Sequence, residues 1–499
     1  MVRSPISVRA AAVAVVLAAC AACTVPPLDS GGRPCSPEAP CGPGFVCDPA
    51  AGTCVSESAD LGPAEAAVDT RLLFPDGPLP DGPLPDQPQP GDQTVDQPPS
   101  PDVSLPCQGL TCPLGCNVTA KRCYRLKPTG FDAAPFYDQL TADVVANSAP
   151  LTFETDTGEV RVGTTVLRSA GGHGQVKNGI YWDTSTQAGG YPEVGVFGLK
   201  SLEVAAGANA SVVGDRAFAL YVAGDVQIAG TLAAPVNGSV PGAGGLAGGD
   251  QNNAAGVPCF GGEGGGGEHL ALSSSSDSGG GGGGRIAAGG KGGNSTNAPY
   301  AQGGAGGVAT GSPTLSPLFG GCGGGAGGAG GSGDAGPGGG GGGAIQIAAN
   351  GMITVAGVIS APGAGGRGGR YGAGGGGGGS GGAVLLEAHG IAIAGFVAAN
   401  GGGGGAGSAE QSIPSANHGE DGLPSTQNAA GAAPNSPYGG AGGMGGALSP
   451  QTGAQGQTDI NGGGGGGAAG RIRLNTKTPP AVSGGVSPTA TTSTTVATW

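Results

Sequence analysis

Short apolar stretches alternate with long glycine tracts along this chain, and the apolar stretches repeat. "AFALYVAGDVQIAGTLAAP" (217–235), "AIQIAANGMITVAGVISAP" (344–362) and "AVLLEAHGIAIAGFVAAN" (383–400) share one pattern, and "RIRLNT" (471–476) is a final half copy. Each full copy holds three strandlets, as in Ile345/Ile347, Ile353/Val355 and Val358/Ile359, with one side apolar. Upstream, "LTFETDTGEVRVGTTVLRS" and "SLEVAAGANASVVG" also read as short strands. Strandlets about six to eight residues apart leave no length for hairpin arms but suit the sides of a coil. Each copy is therefore expected to form one rung of a parallel β-solenoid, with like residues stacked about 4.8 Å apart. A β-sandwich is the alternative architecture.

The rungs do not follow one another directly. The equivalent positions Phe218, Ile345, Val384 and Ile472 are separated by 127, 39 and 88 residues. A rung needs only about 20 to 25 residues, so the surplus must leave the coil at one corner and return. These excursions span 236–343, 363–382 and 401–470. Residues 235–474 hold 87 of the 115 glycines. "GGAGGAGGS" (324–332), "GGRGGRYGAGGGGGGSGG" (365–382) and "GGAGGMGGA" (439–447) follow a GGX triplet. Collagen wants one glycine per triplet and abundant proline. Two glycines per triplet suit bundled left-handed three-residue helices, in which bare faces pair backbone to backbone and X points outward. Ordering glycine costs roughly 0.5–1 kcal/mol more than ordering alanine, so only near-complete backbone pairing could keep such tracts ordered. Flexible loops are the competing reading.

Before the repeats the composition changes three times. Arg3 and Arg9 flank the start of "AAAVAVVLAA" (10–19), an apolar run too short to span a bilayer. Eight further cysteines fall into two clusters, Cys35, Cys41, Cys47, Cys54 and Cys107, Cys112, Cys116, Cys123. Each cluster ends in C-x6-C, the spacing of a small closed hairpin. Segments this short cannot bury a core, so disulfides are expected, with three pairings open in each cluster. A zinc site would want C-x2-C, which neither cluster has. Cys259 and Cys322 stand alone in one excursion and are expected to pair with each other. Between the clusters, residues 57–106 hold 12 Pro, 10 acidic residues and one Arg. Proline and like charge make this a stiff, extended stalk on the order of 100 Å or less.

The net charge of −14 excludes a nucleic-acid-binding surface of the usual basic kind. Searching for chemistry yields little. "GGSGG" around Ser380 matches G-x-S-x-G but lacks the preceding strand and following helix of a nucleophile elbow. His173, His269, His389 and His418 are isolated, and Glu263, Glu268 and His269 form the nearest thing to a ligand cluster. The rungs carry scattered carboxylates such as Glu387 and Asp225, where polysaccharide chemistry needs several converging on one face. No catalytic residue, cofactor or metal is expected.

Leu17-Ala18-Ala19-Cys20 resembles the bacterial lipobox, which implies cleavage before Cys20 and its lipidation; Ala21 in place of Asp implies sorting to the outer membrane. An ordinary cleaved signal peptide is the alternative. The GGX runs resemble the PGRS region of PE-PGRS proteins, although no PE domain precedes them. The whole arrangement is similar to glycine-rich surface lipoproteins of the myxobacterial type. The expected layout is a signal peptide (1–19), a tether (20–34), a Cys-rich module (35–56), the stalk (57–106), a second module (107–124), the glycine-rich solenoid (125–475) and a Thr/Ser-rich tail (476–499). The fold class expected is mainly β, a parallel β-solenoid with polyglycine-II-like excursions preceded by small disulfide-rich modules. The function expected is a non-enzymatic, lipid-anchored structural or adhesive element of the envelope, on the cell surface or the periplasmic face. Its partners would be the membrane, through the lipid, and an envelope polysaccharide or surface protein. Two rivals are a solenoid enzyme acting on polysaccharide and a binding module that uses the Cys-rich knots.

Overall fold

The computed structural model describes the strands 45–48 and 53–56, Cys107, and residues 112–499 apart from 252–253, 271–275, 299, 331–333, 409–414 and 436. The chain divides into two compact units, Met1–Asp96 and Gln97–Trp499. In the first, Phe45–Asp48 and Thr53–Ser56 pair antiparallel and set Cys47 opposite Cys54.

The second unit is mainly β, and its only helical segment among the described residues is the short turn Tyr137–Gln139. Three ladders of strands run through it. In the first, Val194–Leu199, Ala217–Val222, Ala344–Val355, Ala383–Ile393 and Arg471–Thr476 pair parallel in that order. Phe218 pairs with Ile345, Ile345 with Val384 and Val384 with Ile472, so the four equivalent positions of the repeat lie in one register column. The second ladder stacks Asp143–Ala146, Ser201–Val204, Val226–Ile228 and the later halves of the two long strands. The third stacks Leu151–Glu154, Asn209–Val213, Thr231–Ala233, Val358–Ser360, Phe396–Ala398 and Gly485–Ser487. Parallel neighbours cannot be joined by tight hairpins. Each return to a ladder therefore passes through the other two.

Alternation places one side of every ladder inward. Phe197, Leu220, Ile347, Leu386 and Leu474 form one column; Leu202, Val226, Ile353 and Ile391 form another. Leu232, Ile359 and Val397 come from the third ladder, and all these side chains share one buried core. Burying each contributes about 1.5–3 kcal/mol. The rings of Phe153, Phe197 and Phe218 fill the wider end, with centroids 5.1–5.5 Å apart. The same end is closed by antiparallel strands Gln175–Lys177 and Ile180–Ser185, which remove a parallel edge that would otherwise be free to pair.

Two expectations are corrected here. The first two strandlets are separate in the first copy, Ala217–Val222 and Val226–Ile228, but not in the next two, where Ala344–Val355 and Ala383–Ile393 each run through both, the former with a register shift between Ala349 and Met352. The Asp225 carboxylate accepts the Met352 amide at 2.8 Å, which fixes that bend without breaking the strand. Residues 476–499 are not a separate tail. Ala481–Val482, Gly485–Ser487 and Thr491–Ser493 each join a strand of the sheets, and Trp499 pairs with Arg125. Their Thr/Ser richness reflects small, half-exposed strands at the end of the stack.

The outer face of the first ladder is also covered. Leu114, Leu126, Phe136 and Leu140 pack on Val196, Ala219, Tyr221 and Leu385. The second Cys-rich module, closed by Cys107–Cys116 and Cys112–Cys123, is thus joined to the body through Leu114.

Among the described residues the glycine tracts form no strands, yet their amides are paired with a period of three. Gly374, Gly377 and Ser380 donate to Gly328, Gly325 and Cys322. Gly375, Gly378 and Gly381 donate to Gly462, Gly465 and Ala468, and Gly376, Gly379 and Gly382 to Arg367, Ala364 and Ala361. The run 374–382 accepts in turn from three runs, through the amides of Gly280 and Gly283, of Gly336 and Gly339, and of Gly402 and Gly405. It therefore has six neighbours, which only a chain without side chains on those faces can have. A Cβ on Gly374, Gly375 or Gly376 would overlap a neighbouring carbonyl. The X positions are not uniformly outward: Ala329 is partly exposed, but Ala326 is fully buried, its methyl being small enough to sit between runs.

Candidate functional site

The residues singled out in the sequence separate in the structure. Cys20, Cys35 and Cys41 lie outside the described residues, and only the strand backbone is described at Cys47 and Cys54. Cys259 and Cys322 are joined in a buried cluster with Phe319. Glu263 accepts the amides of Cys259 and Gly261 at 2.7 and 3.1 Å, Glu268 accepts that of Gln302 at 2.9 Å, and His269 pairs with buried Asp277 at 2.6 Å. Each of the three braces a different loop. Burial is the main force raising the Asp277 pKa, and the His269 bond opposes it. Among the described residues no three His, Cys, Asp or Glu side chains are grouped so as to hold a metal ion.

Ser380 is fully buried, and its hydroxyl accepts the Cys322 amide at 2.8 Å, so it ties two glycine runs together. Glu387 and Asp225 do not converge either. Glu387 is 4% exposed and accepts from the Thr129 amide and hydroxyl, Gln346 and Asn475, at 2.7–3.1 Å. These bonds pin the 129 segment onto the first ladder. A charged group this buried must be satisfied by hydrogen bonds, and four provide for it.

A substantial concavity lies elsewhere, among the glycine runs. A cleft of about 500 Å³ is lined by Asp250, Asp334, Arg367, Arg370 and His418. That volume lies within the usual range of small-ligand sites, about 300–1,000 Å³. "GGRGGR" builds its basic wall. Arg367 and Arg370 are successive X positions, and a three-residue repeat sends both to the same side of the run. The run is held by Gly366 to Gly403, Arg367 to Pro337 and Gly369 to Ala406, at 2.8–3.0 Å. Asp334 and Arg370 exchange backbone hydrogen bonds of 3.2 and 3.0 Å, which fixes the opposite wall against the end of the same run.

His418 closes the cleft. Its Nδ1 accepts the Gly368 amide at 2.9 Å, which leaves Nε2–H as the donor of the neutral ring. Burial lowers its pKa first, and the positive charges of Arg367 and Arg370 lower it further. Neither arginine side chain forms an ion pair or hydrogen bond among the described residues. The cleft therefore sets two arginines against two carboxylates, Asp250 and Asp334, with a neutral imidazole between the runs.

The cleft lies at the far edge of the glycine runs, where the excursions turn back. Each excursion holds a single tyrosine, Tyr300, Tyr371 and Tyr438, and all three are exposed, by 59%, 38% and 49%. Their turns meet around Asn461. The Asn461 side chain donates to Ser408 O at 2.6 Å, Ser408 Oγ accepts the Gly372 amide at 3.4 Å, and the Asn461 amide donates to Tyr438 O at 3.3 Å. Ser295 Oγ ties the Tyr300 turn to Ile460 O at 2.8 Å. Tyr300 and Tyr371 have φ of 66° and 51°, a left-handed conformation that bulky residues rarely adopt. In the sequence Arg367 and Arg370 are simply X residues of the triplets, and His418 is isolated. The usable signal was two in-phase arginines in the triplets, but their partners come from residues far along the chain. Comparison of the chain with protein-family models, with curated proteins and with solved structures found no match.

Proposed function

We propose that this chain is a lipid-anchored, non-enzymatic surface protein of the bacterial envelope, whose body is a rigid scaffold with a structural or adhesive role. The single observation that carries the reading is the six-neighbour, period-three pairing of the glycine run 374–382. Such pairing fixes backbone over a large volume while leaving room for large side chains chiefly at the rim, an arrangement suited to display. In this reading the three ladders are successive sides of one parallel β-solenoid, and the glycine tracts are polyglycine-II-like bundles branching from one corner. The common register of Phe218, Ile345, Val384 and Ile472 supports the first statement, and the triplet spacing of donors supports the second.

Anchoring rests on Leu17-Ala18-Ala19-Cys20. More than one acyl chain is needed for stable attachment, and bacterial lipoproteins of the kind it resembles carry several. Cells fed a clickable fatty acid should label the wild-type protein in the membrane fraction, and Cys20→Ala should be unlabelled. Equal labelling of both would remove the anchor from the proposal. Antibody access on intact cells then separates an outward-facing protein from one facing the periplasm.

A further inference from the structure

The cleft at the far edge carries three features that together specify a ligand. The first is a pair of guanidinium groups that have no hydrogen-bond or ion-pair partner among the described residues, on residues three apart, facing one cavity. Guanidinium matches a carboxylate by two parallel N–H···O bonds, so two of them select an anion with planar geometry. The second is the composition of the remaining wall. Gln251 and Asp334 supply acceptors, and among the described residues that line it Ala335 and Pro337 are the sizeable apolar groups. A peptide anchored by apolar side chains would find no pocket here, whereas a ligand rich in hydroxyl groups would find a partner for each. The third is Tyr371, next in sequence to Arg370 and exposed at positive φ. Glycine would occupy this conformation without strain and is abundant on both sides. A tyrosine held there at a cost of about 1 kcal/mol presents its ring for a purpose other than folding.

We propose that this cleft binds an acidic saccharide, a polymer of uronic-acid type. Arg367 and Arg370 hold a sugar carboxylate, and His418 Nε2–H donates to the same anion. Asp334 accepts hydroxyl groups of the ring. Tyr371 lies at the rim, where its face meets the C–H face of a neighbouring sugar, and Tyr300 and Tyr438 extend the same edge. The inference deepens the adhesive reading above, and rests on it for the biological sense of a surface-displayed sugar site.

The test uses the purified full-length chain and calorimetric titration with tetragalacturonate, with cellotetraose and poly-glutamate as controls. Tetragalacturonate should bind, and the other two should bind at least tenfold more weakly. Arg367→Gln and Arg370→Gln should each weaken binding at least tenfold, and Tyr371→Gly about threefold or more. Thermal unfolding of both arginine variants should match wild type, and that of Tyr371→Gly should match or slightly exceed it, because glycine relieves the positive φ. The wild-type protein alone supplies a second measurement if a variant misfolds: tetragalacturonate should shift the His418 ring resonance saturably and raise its titration midpoint, because the ligand's charge offsets Arg367 and Arg370 beside Asp250 and Asp334. Absence of binding at millimolar concentration overturns the proposal, as does unchanged affinity in the double Arg→Gln variant. Equal binding of cellotetraose would remove the role of the carboxylate, and equal binding of poly-glutamate the role of the sugar. Because this assay needs no membrane, an unlabelled Cys20 with intact sugar binding would sink the anchor alone. A labelled, surface-exposed protein that binds no sugar would sink the site alone.

Discussion

A single methyl group separates tolerated from forbidden substitutions in the glycine tracts, and the boundary falls between adjacent residues. Gly328 donates to Ser278 at 2.8 Å, and a Cβ on it would overlap the Glu268 carbonyl. Ala329, the next residue, already has a Cβ and is partly exposed. Gly328→Val should therefore destabilise the protein by about 2–4 kcal/mol, and Ala329→Val by less than about 0.5 kcal/mol. Thermal or denaturant unfolding of the two variants measures the difference, and equal effects would contradict the packing described. Arg285 marks the other extreme of tolerance. It is fully buried, stacks 3.7 Å over Phe319, and donates to the carbonyls of Thr310 and Phe319 at 3.1 and 2.8 Å. Burial pushes its pKa well down, since no carboxylate offsets the lost hydration.

At the scale of elements, the repeat was legible in the sequence because each ladder position recurs with period two inside a copy. Phe218, Ile345, Val384 and Ile472 could be aligned by eye, and the ladders pair them in register. The bend at Ala349–Met352 was not legible, because it depends on a carboxylate from the preceding copy, Asp225. The cleft was hidden for the same reason: Arg367, Asp334 and His418 share no local pattern, and only the packing order of the runs brings them together. Period three was visible in the glycines, but which run pairs with which was not, since identical triplets carry no address. If pairing is as described, amides 374–382 should exchange slower than random coil by on the order of a thousandfold. Hydrogen-exchange mass spectrometry resolves this, and exchange at coil rates would contradict the bundle. The Cys-rich modules allow a sharper statement. Cys116 and Cys123 face each other across a hairpin but bond to Cys107 and Cys112. Cys47 and Cys54 face each other across a hairpin of the same C-x6-C spacing. The first module should accordingly pair Cys35 with Cys47 and Cys41 with Cys54, and non-reducing peptide mapping would show any other connectivity.

At the scale of the molecule, two solutions to chain order stand side by side. The ladders bury β-branched and aromatic side chains, in the ordinary manner of a hydrophobic core. The glycine runs bury mainly backbone, so their order comes chiefly from hydrogen bonds and close Cα–H···O approach over many neighbours. The first solution fixes where each excursion leaves and returns. The second lets excursions of very different length, 363–382 and 401–470 among them, pack into a common body. The few polar side chains inside, such as Arg285 and Ser380, are spent on tying runs together, while Arg367, Arg370 and the three tyrosines stand where the runs reverse.

The six-neighbour run also bears on resistance to proteolysis. A protease must draw several residues of extended chain into its groove and bond to their amides before it can cut. Within the run 374–382 those amides are already engaged on every side, and no large side chain projects for an enzyme to grip. Basic residues in the tracts are few, and Arg285 lies fully buried. A body made this way resists digestion by offering nothing to hold. That durability would matter most for a chain exposed to the secreted enzymes of its neighbours.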